Sequence, residues 1–298
     1  MRIATKSLYD SIIQNVGRAS TEMLDAQKVV TTGKKINRLS DDPVGLVTVL
    51  DLRSSIKNIN QLERNISMGR SWLITCETSL NQTHDILSQV KELCVQYSSA
   101  NVSSNERANA VNIVDGYLKQ IISLANSKTG GRYIFGGTNT DTIPFVLNSS
   151  ETQVTYSGNE TAFSIKIGEN TNIAVGKNGE DIFGDNWDNN NIFKTLIDLK
   201  THLQTDNVEE IRETMDKLDT HLGAVRTVVS DIGGKTIRLD VKKEIIQDLE
   251  LAYTERKSQI EDADIAEAII NLSSKELAYK ASLASSAKIM ALSLVDYL

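Results

Sequence analysis

Pro43 and Pro144 are the only prolines in a chain of 298 residues, where average usage would give about fifteen. Proline breaks a helix by removing an amide donor and clashing with the preceding turn. The stretches 44–143 and 145–298 are therefore free to form very long helices. Aromatic residues make up only 5 % of the chain although 40 % is apolar, and aromatics usually dominate globular cores and ligand pockets. The composition suits long helices packed side by side better than a compact enzyme.

Helical periodicity fills most of the sequence. Ile12, Val16, Ala19, Met23, Ala26 and Val30, preceded by Leu8, step by threes and fours at close to 3.5 residues, the spacing of a coiled-coil seam. Asp42 followed by Pro43 predicts the cap and first residue of a second helix. Its stripe runs through Ile59, Ile66, Leu73, Cys76, Leu80, Leu87, Val90 and Cys94 towards Tyr97. Ser103 and Glu106 have the spacing of a capping box for a returning helix, expected to end at Gly130-Gly131. Between Gly130 and Phe193 lie nine of the 17 glycines and all five phenylalanines. Residues 132–137, 153–159, 163–168 and 173–175 there alternate as short strands. Helix resumes at Asn190, with Gly233-Gly234 expected to interrupt or kink it and Leu239 to Leu298 expected to be nearly continuous. The fold class that follows is mainly α with a small β-rich insert, an elongated multi-helix rod of long antiparallel helices, with the N- and C-terminal helices paired.

The last helix carries two apolar stripes. One holds Ile265, Ile269, Leu272, Leu283, Met290 and Leu294, the other Ile270, Leu277, Ala281, Ala284 and Leu298. One stripe buries a helix against one neighbour, and two imply neighbours on both sides. Residues 1–50 hold seven Lys/Arg against five Asp/Glu, while residues 249–298 hold five against eight, a modest complementarity that favours pairing of the ends. An isolated pair of such helices is marginal. The terminal residues, roughly 40 at each end, are expected to be mobile in the lone chain and to order on assembly.

Several function classes are disfavoured. A net charge of −7 argues against nucleic-acid binding. No segment has the roughly 18 apolar residues of a membrane span, so no membrane insertion is expected, and residues 1–16 lack the pattern of a cleaved signal peptide. Cys76 and Cys94 sit 18 positions apart in one helix, roughly 27 Å, too far for a disulfide, and are read as buried thiols. His84, His202 and His221 have no metal-ligand spacing. Glu261, Asp262 and Asp264 face different ways on a helix, so they form no convergent metal or catalytic site and read as a solvated or subunit-contacting face. No catalytic residue, cofactor or metal site is expected.

The run Thr31-Thr32-Gly33-Lys34-Lys35-Ile36-Asn37-Arg38-Leu39-Ser40-Asp41-Asp42-Pro43-Val44-Gly45-Leu46 resembles the N-terminal signature of the flagellin family. Ile260-Glu261-Asp262-Ala263-Asp264-Ile265-Ala266-Glu267-Ala268 resembles its C-terminal counterpart. Within the family, Met1-Arg2-Ile3-Ala4-Thr5, the run 131–138 followed by Pro144-Phe145, and the ending 290–298 are similar to the subgroup that joins hook to filament. The resemblance implies a structural adaptor in three parts: terminal helices (1–42 and 255–298) forming an inner assembly domain, a helical rod (43–131 and 190–254), and a β-rich outer domain (132–189). It implies assembly through the terminal helices, with Asn37, Arg38, Asp41 and Asp42 in a helix–helix turn that contacts a neighbouring subunit. It further implies export through the flagellar type III apparatus without signal cleavage and an extracellular location. The implied partners are the first hook-associated protein, flagellin, copies of the chain in a ring, and a cytoplasmic export chaperone on the C-terminal helix. Two other readings stay open: filament flagellin itself, and a secreted helical effector or ligand-binding protein.

Overall fold

A computed structural model describes residues 2–99, 101–184 and 191–295, with the backbone alone for residues 2–5, 8 and 291–295. Among these residues are seven helices and six short strands. They fall into two units: Met1–Ile59 with Asp248–Leu298, and Asn60–Gln247. The fold is mainly α with a small β-bearing insert.

In the first unit, helix α1 (Arg2–Thr32) lies against the last helix, α7 (Ile265–Val295). Between them in sequence come the start of α2 (Pro43–Tyr97) and the end of α6 (Val208–Glu261). Asp42 caps α2 as the sequence predicts, its carboxylate accepting from the Val44 and Gly45 amides at 3.1 and 2.9 Å.

The second unit is built on the middle of α2 and most of α6, with α3 (Ser104–Ala125) and α5 (Ile192–Gln204). The stripe from Ile66 to Cys94 is buried, opposite Leu218, Val225, Ile232 and Leu239. Polar pairs flank this seam: Gln247 with Glu63, Asp240 with Arg70, Arg226 with His84 and Asp219 with Lys91. As one residue number rises the other falls by the same amount, in steps of seven, fourteen and seven. Two antiparallel helices in a heptad register produce that pattern. The capping box at Ser103 and Glu106 is formed, and Val111, Val114, Leu118, Ile121 and Ala125 are all buried behind it.

The insert consists of three separate two-stranded antiparallel sheets: β1–β2 (Lys128–Thr129, Arg132–Tyr133), β3–β4 (Phe145–Leu147, Val154–Tyr156) and β5–β6 (Ser164–Lys166, Asn172–Ala174). A short helix α4 (Glu180–Phe183) follows. A two-stranded sheet is marginal alone, and two clusters supply its cover. Phe145, Phe183 and Phe193 meet with ring centroids 5.1–5.6 Å apart. Trp72 of α2 stacks on Phe163 at 4.8 Å. Gly69 belongs to this contact, because a Cβ there would lie 2.3 Å from Ile165 Cδ1.

Three expectations need correction. Helix α3 ends at Ala125, not at Gly130. The Asn126 side chain exchanges two hydrogen bonds with the Phe145 backbone (2.8 and 3.0 Å) and turns the chain into the insert. Gly130 and Gly131, at φ 57° and 82°, make the hairpin turn of β1–β2, a conformation that glycine adopts without penalty. The strand expected over 132–137 narrows to Arg132–Tyr133, while β1 and β3 arise where none was expected. Finally, α6 runs unbroken through Gly233-Gly234. Those glycines cost about 1 kcal/mol each relative to alanine without stopping a helix held by packing. The break falls instead at Asp262–Asp264, between α6 and α7.

Cys76 and Cys94 are free and buried, and burial pushes each thiol from 9.0 up to about 12. A raised folded-state pKa leaves stability intact below the unfolded value and erodes it as pH rises above that value. Above pH 9 the protein should therefore lose stability faster than a Cys76→Ala/Cys94→Ala variant, as read from urea unfolding across an alkaline series.

Candidate functional site

Residues 33–42 and 262–264 are both interruptions between helices, and the structure brings them together. Lys35 N–H donates to the Glu261 carbonyl and Ala263 N–H to the Gly33 carbonyl, both at 2.9 Å, making an antiparallel bridge between Lys34 and Asp262. Gly33 takes φ 68° here, ending α1 as a left-handed glycine does. Each signature also stiffens itself. Asp41 accepts from the Asn37 and Arg38 amides at 2.9 and 2.8 Å, and the Asn37 side chain donates to the Lys34 carbonyl at 2.6 Å. On the other side, Ser258 donates to Asp262 at 2.6 Å, and Asp264 caps α7 through the Ala266 amide at 2.8 Å. The backbone amides of Asn37 and Arg38 hold the Asp41 carboxyl below its ordinary value, so its contribution is present above about pH 4 and fades as pH falls below that.

Glu261 lies at the centre of this clasp. Although expected on a solvated or subunit-contacting face, it is 2 % exposed. Its Oε1 receives Lys34 Nζ at 2.5 Å and the Arg53 guanidinium, while Oε2 has no hydrogen-bond partner. Asp262 and Asp264 remain exposed. Arg38 reaches Asp25 of α1 at 3.2 Å across an exposed surface, where such pairs contribute only about 0–1 kcal/mol. Among the described residues no group of three or more His, Cys, Asp or Glu is placed to hold a metal ion.

Beyond the clasp, α1 and α7 run antiparallel. On α1 the inward positions are the expected ones: Ile12, Val16, Met23 and Val30 are half-buried and Ala26 buried. On α7 the inward row is Ala268, Leu272, Lys275, Tyr279, Ser282 and Ser286, joined to α1 by Lys275–Glu22 at 2.8 Å. Only Leu272 of the expected assembly residues belongs to it. Ile265, Ile269, Leu283 and Met290 face outward, 39–49 % exposed, beside Ile270 and Leu277 at 71 % and 70 %. Neither side chain of Leu8 and Leu294 is described, and Leu298 lies outside the described residues.

The two clasping signatures fall inside two regions that match known proteins. Residues 3–140 match the family model of the bacterial flagellin N-terminal helical region, and residues 206–298 match that of the C-terminal helical region. The chain belongs to the flagellin family. It is 25 % identical to the flagellar hook-associated protein 3 of Escherichia coli, across 94 % of this chain and 96 % of that protein. It is also 25 % identical to a flagellar filament core protein of Treponema maltophilum, across 86 % and 84 %. The solved structure of a putative flagellar hook-associated protein from Vibrio parahaemolyticus shares the fold, with a TM-score of 0.68 at 20 % identity over 74 % of this chain and all of that one. This flagellin-family member is a structural protein of the flagellum, not an enzyme.

In this family member the clasp generates an asymmetric expectation. Lys34 and Arg53 are 39 % and 46 % exposed at their side chains, so they rehydrate when Glu261 is removed. Removing both cations instead strands a buried carboxylate, which costs more. Glu261→Gln should destabilise by about 1–2 kcal/mol and Lys34→Ala/Arg53→Ala by about 3 kcal/mol or more. Denaturant unfolding of the three proteins, followed by a probe on α7, measures the difference.

Proposed function

We propose that this chain is the adaptor subunit that joins hook-associated proteins to the flagellin filament, assembling through its terminal helices. The observation that carries the reading is the outward face of α7. Ile265, Ile269, Ile270 and Leu277 are exposed on a helix whose inner row is already taken by α1. Covering one such side chain contributes roughly 1 kcal/mol or more, and a ring of identical copies supplies that cover. The similarity to hook-associated protein 3 supports the junction role, and the similarity to a filament core protein keeps the filament subunit as the second reading.

In this reading residues 1–42 and 255–298 form the inner assembly part, 43–131 with 190–254 the rod, and 132–189 the outer domain. Asn37, Arg38, Asp41 and Asp42 hold the turn that presents α1 and α2 to a neighbouring copy. The first hook-associated protein and flagellin are the axial partners, copies of the chain the lateral ones. A cytoplasmic chaperone covers the C-terminal helix before export through the type III apparatus to the cell exterior, and the terminal helices tighten when copies assemble.

An Ile270→Ser/Leu277→Ser variant tests the interface. The isolated chain should keep its circular-dichroism spectrum and unfolding midpoint, while assembly weakens by about 2–4 kcal/mol, roughly thirty-fold or more. Electron microscopy of cells lacking the protein tests the role. Hooks without filaments, with flagellin lost to the medium, are expected; normal filaments would refute the adaptor. Purified chain growing into long filaments unaided would favour the second reading.

A further inference from the structure

Along the α2–α6 seam the polar pairs recur at heptad spacing, with one rung missing. Continuing the register from Arg70–Asp240 to His84–Arg226 sets Glu77 opposite Gly233. Among the described residues Glu77 makes no ion pair or side-chain hydrogen bond, and glycine offers nothing to make one. Gly233 and Gly234 have open space where a Cβ would stand, so no close approach within the chain calls for glycine at either position. Exposed polar pairs stand on both sides of the gap, and the gap falls where α6 is intrinsically weakest.

We infer that Gly233-Gly234 and the unpaired Glu77 form a soft joint in the α2–α6 pair, at which the two helices part locally while the flanking rungs stay closed. The joint goes beyond the adaptor reading and holds whether or not that reading does. Local opening of this kind draws on regions with few cross-links and weak helix propensity. It also gives α6 a place to flex within a long pair that is otherwise fastened at every heptad described.

The chain carries its own reporter. Cys76 is buried next to the joint, and Cys94 is buried beyond the next two rungs. In the full-length native protein, iodoacetamide followed by peptide mass spectrometry should alkylate Cys76 faster than Cys94. Gly233→Ala/Gly234→Ala should slow Cys76 by roughly ten- to thirty-fold relative to Cys94. Gly223→Ala lies on the same helix, also with open space at its Cβ, and should leave the ratio unchanged. Equal rates for the two thiols would overturn the joint, as would slowing of both together by the double alanine variant, since each places the exposure in global unfolding. A ratio shifted as much by Gly223→Ala would overturn it too.

Discussion

Two backbone hydrogen bonds between Gly33–Lys35 and Glu261–Ala263 hold segments from opposite ends of the chain together. Contacts that close so long a loop must first offset a large ordering entropy. Here they are reinforced by a buried carboxylate under two cations and by a Lys35 ammonium donating to the Gln259 carbonyl at 2.9 Å. The clasp sets where α1 ends and where α7 begins, and so fixes the register in which those helices meet. Ile36, buried at 5 % exposure, anchors the turn from beneath.

That register has a consequence for the outer surface. Antiparallel pairing starting from the clasp turns Ala268, Leu272, Tyr279 and Ser286 inward, leaving larger aliphatic side chains outside. The α7 side of the inner seam is made largely of small and half-polar residues, which let two helices approach without burying much apolar area. A pair closed this way is weak by itself and retains apolar surface for another contact. The second unit works differently: its seam of Ile66, Leu73, Leu80 and Leu87 is fully buried and its flanks are laced with polar pairs.

Features decided by near neighbours in sequence were legible from residues alone. Asp42-Pro43 and the Ser103–Glu106 box start helices through atoms within one turn of each other, and the α2 stripe is so regular that only one face can be buried. The same holds for α1. The phase of α7 was not legible, because its Ala- and Ser-rich sequence offers two overlapping apolar stripes and the choice between them belongs to α1. The role of Glu261 was hidden for a related reason, since Lys34 and Arg53 reach it only through the fold. The strand β3 at Phe145 depends on the Asn126 side chain, to which no local pattern points.

By itself the sequence determined the helical class, the placement of the insert, the caps and the two family signatures, because each rests on periodicity or on hydrogen bonds spanning a few residues. Only the tertiary structure decided that the signatures clasp one another, that α6 passes through Gly233-Gly234 unbroken, and which face of α7 is left outside. Those outcomes depend on which distant surface arrives first to bury an apolar row or pair a charge, and a one-dimensional pattern holds no such distances.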